Sequence, residues 1–302
     1  MQEPSTARAE GAACSWCGSG PLARSRVHPR LALCGACGVA VTDPPPTEEE
    51  LARAYGEWYR PRGGRFAGPG DAFLRWSRGQ LARRLDGIAP PGPVLDVGSG
   101  DGALLEALRA RGRHAEGVER QGAPGVRAGD VADVSGEWAA VVFWHSLEHQ
   151  PRAGEALAHA ASLLRPGGVL VVAAPNFESL QARVLGGRWL ALDLPRHLVH
   201  LSPRALRERL QQLGLRVTRV SAVRGGQSLF GWLHGVVGSV PVTGDLYDAI
   251  RRPEARSGPV DPLRRAATLG AACALLPAAA AAAAAEAAAG RGGSLYVEAR
   301  RA

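Results

Sequence analysis

Four cysteines in the first 37 residues carry the most specific chemical pattern in this 302-residue chain. Cys14 and Cys17, then Cys34 and Cys37, form two C-x-x-C knuckles with 16 residues between them, each followed by Gly. That spacing suits a closed tetrahedron of four thiolates around a structural zinc ion, with no position left for a substrate. Disulfides and an iron–sulfur centre share the spacing, although five Cys in so long a chain are too sparse for a secreted disulfide scaffold. A second pattern is VLDVGSGDG, Val94 to Gly102, in which Gly98, Gly100 and Gly102 let the backbone bend sharply and let a ligand lie against it without meeting a Cβ. Asp96 precedes the bend and Ser99 lies within it. Glu119 follows 23 positions after Asp96, where a carboxylate can accept both hydroxyls of a ribose. The dinucleotide form G-x-G-x-x-G is absent, and an ordinary strand-to-helix turn is the competing reading.

A third group is HSLEH, His145 to His149. His149 is the expected general base, with Glu148 as its orienting partner or as a second candidate. His145, Glu148 and His149, at i, i+3 and i+4, could also converge on a divalent metal if the turn is helical. The stretch from Phe177 to Ser202 is too long for a mere connector. It offers Trp189, Asp193, Arg196, His197 and His200, and Arg196 would suit an anionic acceptor. The same stretch could instead pack Trp189 and Leu194 onto the domain, with its His residues tying down backbone carbonyls.

The elements that must position these residues read as strand and helix in alternation. Thr47 and Glu50 predict a capping box opening a short helix, and a helix of roughly 15 residues carries Phe73, Leu74, Trp76, Leu81 and Leu85. PVLDV, HAEGVE, AAVVFW, VLVVAAP and LRVTRVSAV predict strands. DGALLEALRARG, RAGEALAHAASLLRPGG and SPRALRERLQQLG predict helices, the last with Ser202 as N-cap and Pro203 in its first turn. GSLYVEARR closes the chain as a final strand. Alternation of this kind predicts a doubly wound α/β sheet with helices on both faces.

Together these residues resemble the class I S-adenosylmethionine-dependent methyltransferases over about residues 70 to 222 and again at the final strand. VLDVGSGDG resembles their first motif, HAEGVE their ribose-binding strand end, and VVFWHSLEH with LLRPGGVLVVAAPN their fourth and fifth strands. The cysteine pairs, TDPPPTEEELARAY, APNFESL and GGRWLALDLPRHLVHLS resemble a bacterial subgroup with an N-terminal zinc-binding module, whose nearer relatives act on quinone precursors, sugars and other secondary metabolites. The resemblance implies a seven-stranded Rossmann-like sheet, a small zinc-ribbon-like module over 1–43, a linker with cofactor-capping helices over 44–92, and a methyltransferase domain over 93–302. It implies S-adenosylmethionine as cofactor and a small-molecule acceptor methylated at oxygen. Asp96, Gly98, Ser99, Gly100 and Gly102 would hold its methionine part, Glu119 its ribose and Asp130 its adenine, with His145 beside them. Trp189, Asp193, Arg196, His197 and His200 would face the acceptor. One departure stands out: only RQGAP separates Glu119 from Gly125, where the family carries a helix.

The 36 basic residues are all Arg and are scattered rather than massed in one stripe, so the net charge of +8 points only weakly to nucleic acid. The start, MQEPSTARAEG, lacks a signal-peptide pattern, which predicts a cytoplasmic setting. Ala266 to Ala285 is free of charge and long enough to cross a bilayer. Pro277 in its middle, Glu286 beside it and the need to return GSLYVEARR to the sheet favour a helical insertion over about 225–290. That insertion would pack on the domain or, through 266–289, rest on a membrane surface or a partner. The rival functions are an RNA or protein methyltransferase, and a non-catalytic binding or scaffold protein that keeps the fold.

Overall fold

A computed structural model describes residues 13–56, 58–59, 64–66, 69–120, 122, 125–222 and 225–302. The N-terminal stretch 1–12, residues 61–63 and 67–68 of PRGGRFAGPGD, part of RQGAP and Val223 of LRVTRVSAV lie outside the described residues.

β1 (Leu22–Arg24), β2 (Leu31–Cys34) and β3 (Ala40–Thr42) form an antiparallel meander carrying the cysteines, followed by α1 (Glu48–Ala54). The capping box forms as expected: Glu50 N donates to Thr47 Oγ1 at 3.1 Å and Thr47 N to Glu50 Oε2 at 2.9 Å. α2 (Pro69–Ile88) leads into β4 (Val94–Val97), α3 (Ala103–Arg109), β5 (Ala115–Glu119) and β6 (Arg127–Ala128). Among the described residues no helix separates β5 from β6, as the short RQGAP segment implies.

Next come β7 (Trp138–Trp144), α4 (Ala153–Ser162), β8 (Leu164–Pro175), α5 (Leu180–Leu185), β9 (Val199–His200), α6 (Pro203–Gln212) and β10 (Leu215–Ser221). The helix expected to run to Pro166 and Gly167 ends at Ser162, and β8 takes up those residues. Leu164 already pairs with Trp138, and the ladder shifts register before Ala140 meets Val169. Pro166 and Gly167 therefore shape an irregular strand entrance instead of closing a helix.

α7 (Gly225–Val237), α8 (Leu246–Ile250) and α9 (Pro262–Ala288) precede β11 (Ser294–Arg301). The seven strands lie in the order β10-β11-β8-β7-β4-β5-β6, parallel except for β11, which runs antiparallel to both neighbours. The chain winds outward from β4 to β6 and then returns to β7, so the carboxyl ends of β4 and β7 flank the crevice where ligands bind in such sheets. Burial on both faces explains the continuous apolar runs: Val141, Val142, Phe143 and Leu170 to Ala174 are fully enclosed.

Two junctions fix the outer parts. β3 pairs with β9, Ala40 opposite His200 and Val41 opposite Val199, so the cysteine module and the main domain share a four-stranded sheet. The module also abuts α4 so closely that a Cβ on Gly154 would lie 1.8 Å from the Trp16 carbonyl oxygen. On the far side α9 is long and apolar enough to cross a membrane, and it runs unbroken through Pro277, which faces solvent. Its Glu286 is completely buried. The carboxylate accepts from Gln181 N at 3.0 Å, Gln181 Nε2 at 2.8 Å and Trp232 Nε1 at 3.2 Å, clasping α9 to α5 and α7.

Candidate active site

The glycine bend is built as the motif suggests. Gly98, Gly100 and Gly102 have φ of 75°, 62° and 77°, a region that any other residue enters at a cost. A Cβ on Gly98 would also fall 2.4 Å from Ser146 Cβ, and Ser146 Oγ donates to Val97 O, so the first HSLEH turn is locked against the end of β4. Gly98 N donates to Val118 O at 2.8 Å, and Gly100 N to Glu119 Oε2 at 3.0 Å. The acid that ends β5 is thereby drawn onto the bend after β4. Asp96 and Ser99 are buried beneath it. Asp130 accepts from Ala132 N at 3.0 Å and caps the short turn 131–133, so its carboxylate serves the backbone there.

Beyond the end of β7, His145 has φ of 54°, an uncommon conformation for a non-glycine residue and one that recurs at working sites. Its Nε2 lies 3.1 Å from the Gln227 amide nitrogen and 3.5 Å from Ser294 Oγ, while Nδ1 lies 3.4 Å from Glu148 Oε1. The amide can only donate, so Nε2 accepts and Nδ1–H faces the carboxylate. Glu148 is 2% exposed, and among the described residues its side chain meets only the long contacts of His145 at 3.4 Å and His197 at 4.0 Å, which marks it as a group with work to do. Burial pushes its carboxyl up, but adjacent His145, with the charges of His149 and His197, outweighs burial and holds it below the usual carboxylate range.

His149 Nδ1 lies 3.0 Å from the Arg196 carbonyl oxygen and 2.9 Å from Tyr55 Oη. Burial, with the like charge of His197, pushes this imidazole down to about 4. The His197 ring is 4.7 Å from that of His149. Its Nδ1 bonds the Ala191 carbonyl at 2.9 Å, and its Nε2 lies 3.5 Å from Asp193 Oδ2 and 4.0 Å from Glu148 Oε1. Arg196 grips Asp193 with two nitrogens, donates to Ala54 O at 3.1 Å and stacks over Tyr59 at 4.6 Å.

Several expected roles change on this geometry. The i, i+3, i+4 trio does not converge: residues 147–149 form a 3-10 turn, and His145 meets Glu148 without joining His149. The ligand atoms within 4.8 Å of one another belong to Glu148, His149 and His197. Arg196 is neutralised by Asp193 and pins its loop to the segment after α1, so it is not a free cation for an anionic acceptor. Trp189 is buried with Leu185 and Trp232, its Nε1 donating to Gln181 Oε1 at 3.1 Å. His200 lies in β9 against Thr42, and burial pushes its imidazole down to about 3. Of the five expected side chains, His197 reaches Glu148 and His149, and Asp193 stands behind it on His197 Nε2. No motif or spacing in the chain signals Tyr55, Gln227 or Ser294.

The sheet order, the reversed β11 and the glycine bend define a Rossmann-like methyltransferase fold. Residues 73–220 match the family described as a methyltransferase domain. The chain is similar to a ubiquinone biosynthesis O-methyltransferase of Aromatoleum aromaticum, 30% identical over 40% of this chain and 63% of the relative. It is also similar to one of Marinobacter nauticus, 26% identical over 43% and 66% respectively. The chain thus spans just under two thirds of both relatives. Among solved structures it is similar to the cyclase SpnF, 17% identical with a TM-score of 0.49, covering 85% of this chain and 97% of that one. A SAM-dependent methyltransferase from Archaeoglobus fulgidus follows, 18% identical with a TM-score of 0.44, covering 78% and 100%.

Proposed function

We propose that this protein is an S-adenosylmethionine-dependent methyltransferase acting on an oxygen of a small molecule. The single observation that carries the reading is the contact of Glu119 with Gly100 N, which sets a ribose-binding carboxylate beside a bend open to close backbone approach. The matched domain and the names of the two O-methyltransferase relatives support the acceptor class.

Bound S-adenosylmethionine supplies a methyl group activated by its sulfonium. The glycine bend and Asp96 would hold its methionine end and Glu119 its ribose, so the protein's main contribution would be alignment. On the acceptor side His145 Nε2 takes the hydroxyl proton, displacing the Gln227 amide from that nitrogen. Glu148 holds the ring's Nδ1–H and stabilises the imidazolium formed. His145 is preferred to His149 as base because among the described residues its Nε2 meets only the Gln227 amide and Ser294 Oγ, whereas His149 Nδ1 is held between the Arg196 carbonyl and Tyr55 Oη and burial lowers that imidazole.

The four cysteines fit zinc. Their sulfurs lie 3.8 Å apart for Cys14 and Cys37 and 3.7 Å apart for Cys17 and Cys34. Zinc–thiolate bonds of about 2.3 Å imply tetrahedral edges of about 3.8 Å.

Calorimetry with S-adenosylmethionine, followed by a labelled-methyl screen over catechols, sugars, RNA and protein, tests the proposal. Micromolar cofactor binding and label on a small-molecule oxygen are expected. No uptake at millimolar cofactor, or label confined to RNA or protein, would overturn it.

A further inference from the structure

The acceptor side of the crevice depends on a part of the chain that contributes nothing to the methyltransferase sheet. β9 is only two residues long, and in its sheet it pairs with β3. Thr42, the last residue of β3, fastens the loop before β9: Thr42 N donates to Leu198 O at 3.0 Å and Thr42 Oγ1 to His197 O at 2.6 Å. Having spent its proton there, the same hydroxyl accepts from His200 Nε2 at 3.3 Å. Leu198 N in turn donates to Glu148 O at 2.7 Å, so β3, the His197 loop and the HSLEH turn are joined in series.

α1 supplies a second attachment. Arg30 pairs with Glu50 at 3.2 Å, tying α1 to the module, and Arg196 Nη1 caps the helix end at Ala54 O. Tyr55, the next residue, reaches His149 Nδ1 at 2.9 Å. That nitrogen also faces the Arg196 carbonyl at 3.0 Å. A bare nitrogen there would set two lone pairs against each other, so Nδ1 carries the proton and shares it between carbonyl and phenol. Nε2 is then left as the acceptor.

We propose that the cysteine module and its linker form a wall of the acceptor site, with Thr42 and Tyr55 as positioning residues that act through His197 and His149. The proposal rests on the methyltransferase reading for its name as an acceptor site but not for its geometry. Among the described residues neither side chain bonds the glycine bend, so acceptor handling and cofactor binding separate on substitution.

The test uses the full chain with nitrogen-15-labelled histidine, in wild type, Tyr55→Phe, Thr42→Val and Thr42→Ser. Imidazole nitrogen spectra are read beside S-adenosylmethionine calorimetry. Tyr55→Phe is expected to move the His149 nitrogens, and Thr42→Val those of His197 and His200, with the cofactor dissociation constant within twofold. Thr42→Ser, which keeps the hydroxyl, restores the wild-type spectrum. With whichever acceptor the wild type methylates, both disruptive variants lose at least tenfold in kcat/KM. Unmoved imidazole signals, or equal loss of cofactor binding, would overturn the positioning role. A wild type that takes up no cofactor would overturn only the methyltransferase reading, because the spectra report the wall directly.

Discussion

The two sides of the crevice are assembled differently. The proposed cofactor side is local: its bend, its buried Asp96 and Glu119 all lie between Val94 and Glu119, joined by one parallel ladder, β4 on β5. The acceptor side draws on Tyr55, the 145–149 turn, Asp193 to His200, Gln227 and Ser294, brought together from five places in the chain. A locally built site fails at a single residue, whereas one built from distant segments distributes its dependence among the contacts that hold them. The comparison makes the two halves separable by mutation.

The largest effect is expected at the base. His145→Ala should lower kcat by about 10²–10⁴-fold, the usual range for general base catalysis, with cofactor affinity within twofold by calorimetry. Full turnover in His145→Ala together with its loss in His149→Ala would transfer the role to the enclosed ring. Next comes Gly98→Ala. A left-handed residue costs about 1–2 kcal/mol, and the collision with Ser146 Cβ adds about 1–3 kcal/mol of overpacking. Cofactor affinity and thermal midpoint should fall together, and retained affinity would show that the bend does not receive the ligand. Glu119→Gln is expected to weaken cofactor binding by about 1.5–3 kcal/mol, the contribution of hydrogen bonds to a charged group, with kcat at saturation unchanged. A lowered kcat with intact affinity would erase the boundary between the two sides.

The same contrast explains what was legible in the sequence. VLDVGSGDG and the Thr47 and Ser202 caps are short-range patterns whose physics is complete within a few residues, and the structure builds each of them. The sheet follows from apolar runs that need burial on both faces. The acceptor side escapes such reading because its contacts join residues far apart, Thr42 with His197 and Tyr55 with His149, and no local periodicity encodes those pairs. Spacing suggested that His145, Glu148 and His149 would meet at one point, but His145 reaches Glu148 alone and the third member of the cluster is the distant His197. Trp189 and Glu286 are polar-tipped or charged residues absorbed by the helical insertion, where Gln181 bonds both.

The smallest expected effect is in acid stability, and it belongs to the acceptor side. Burial holds His149 down to about 4 and His200 to about 3, both from an ordinary value of 6.5. Between those values and 6.5 the unfolded chain binds protons that the folded chain refuses, so stability is complete above about pH 6.5 and declines as the pH falls toward 4. His200→Gln keeps an amide donor for Thr42 Oγ1 and removes one of the two titrating rings. Its urea-unfolding free energy should therefore fall less steeply over that interval than the wild type's, by about 1–2 kcal/mol once relaxation of the buried ring is allowed for. An identical slope in the variant would mean that β9 is not protonated through His200 before the fold is lost, and that the acid-sensitive ring is His149, at the heart of the acceptor side.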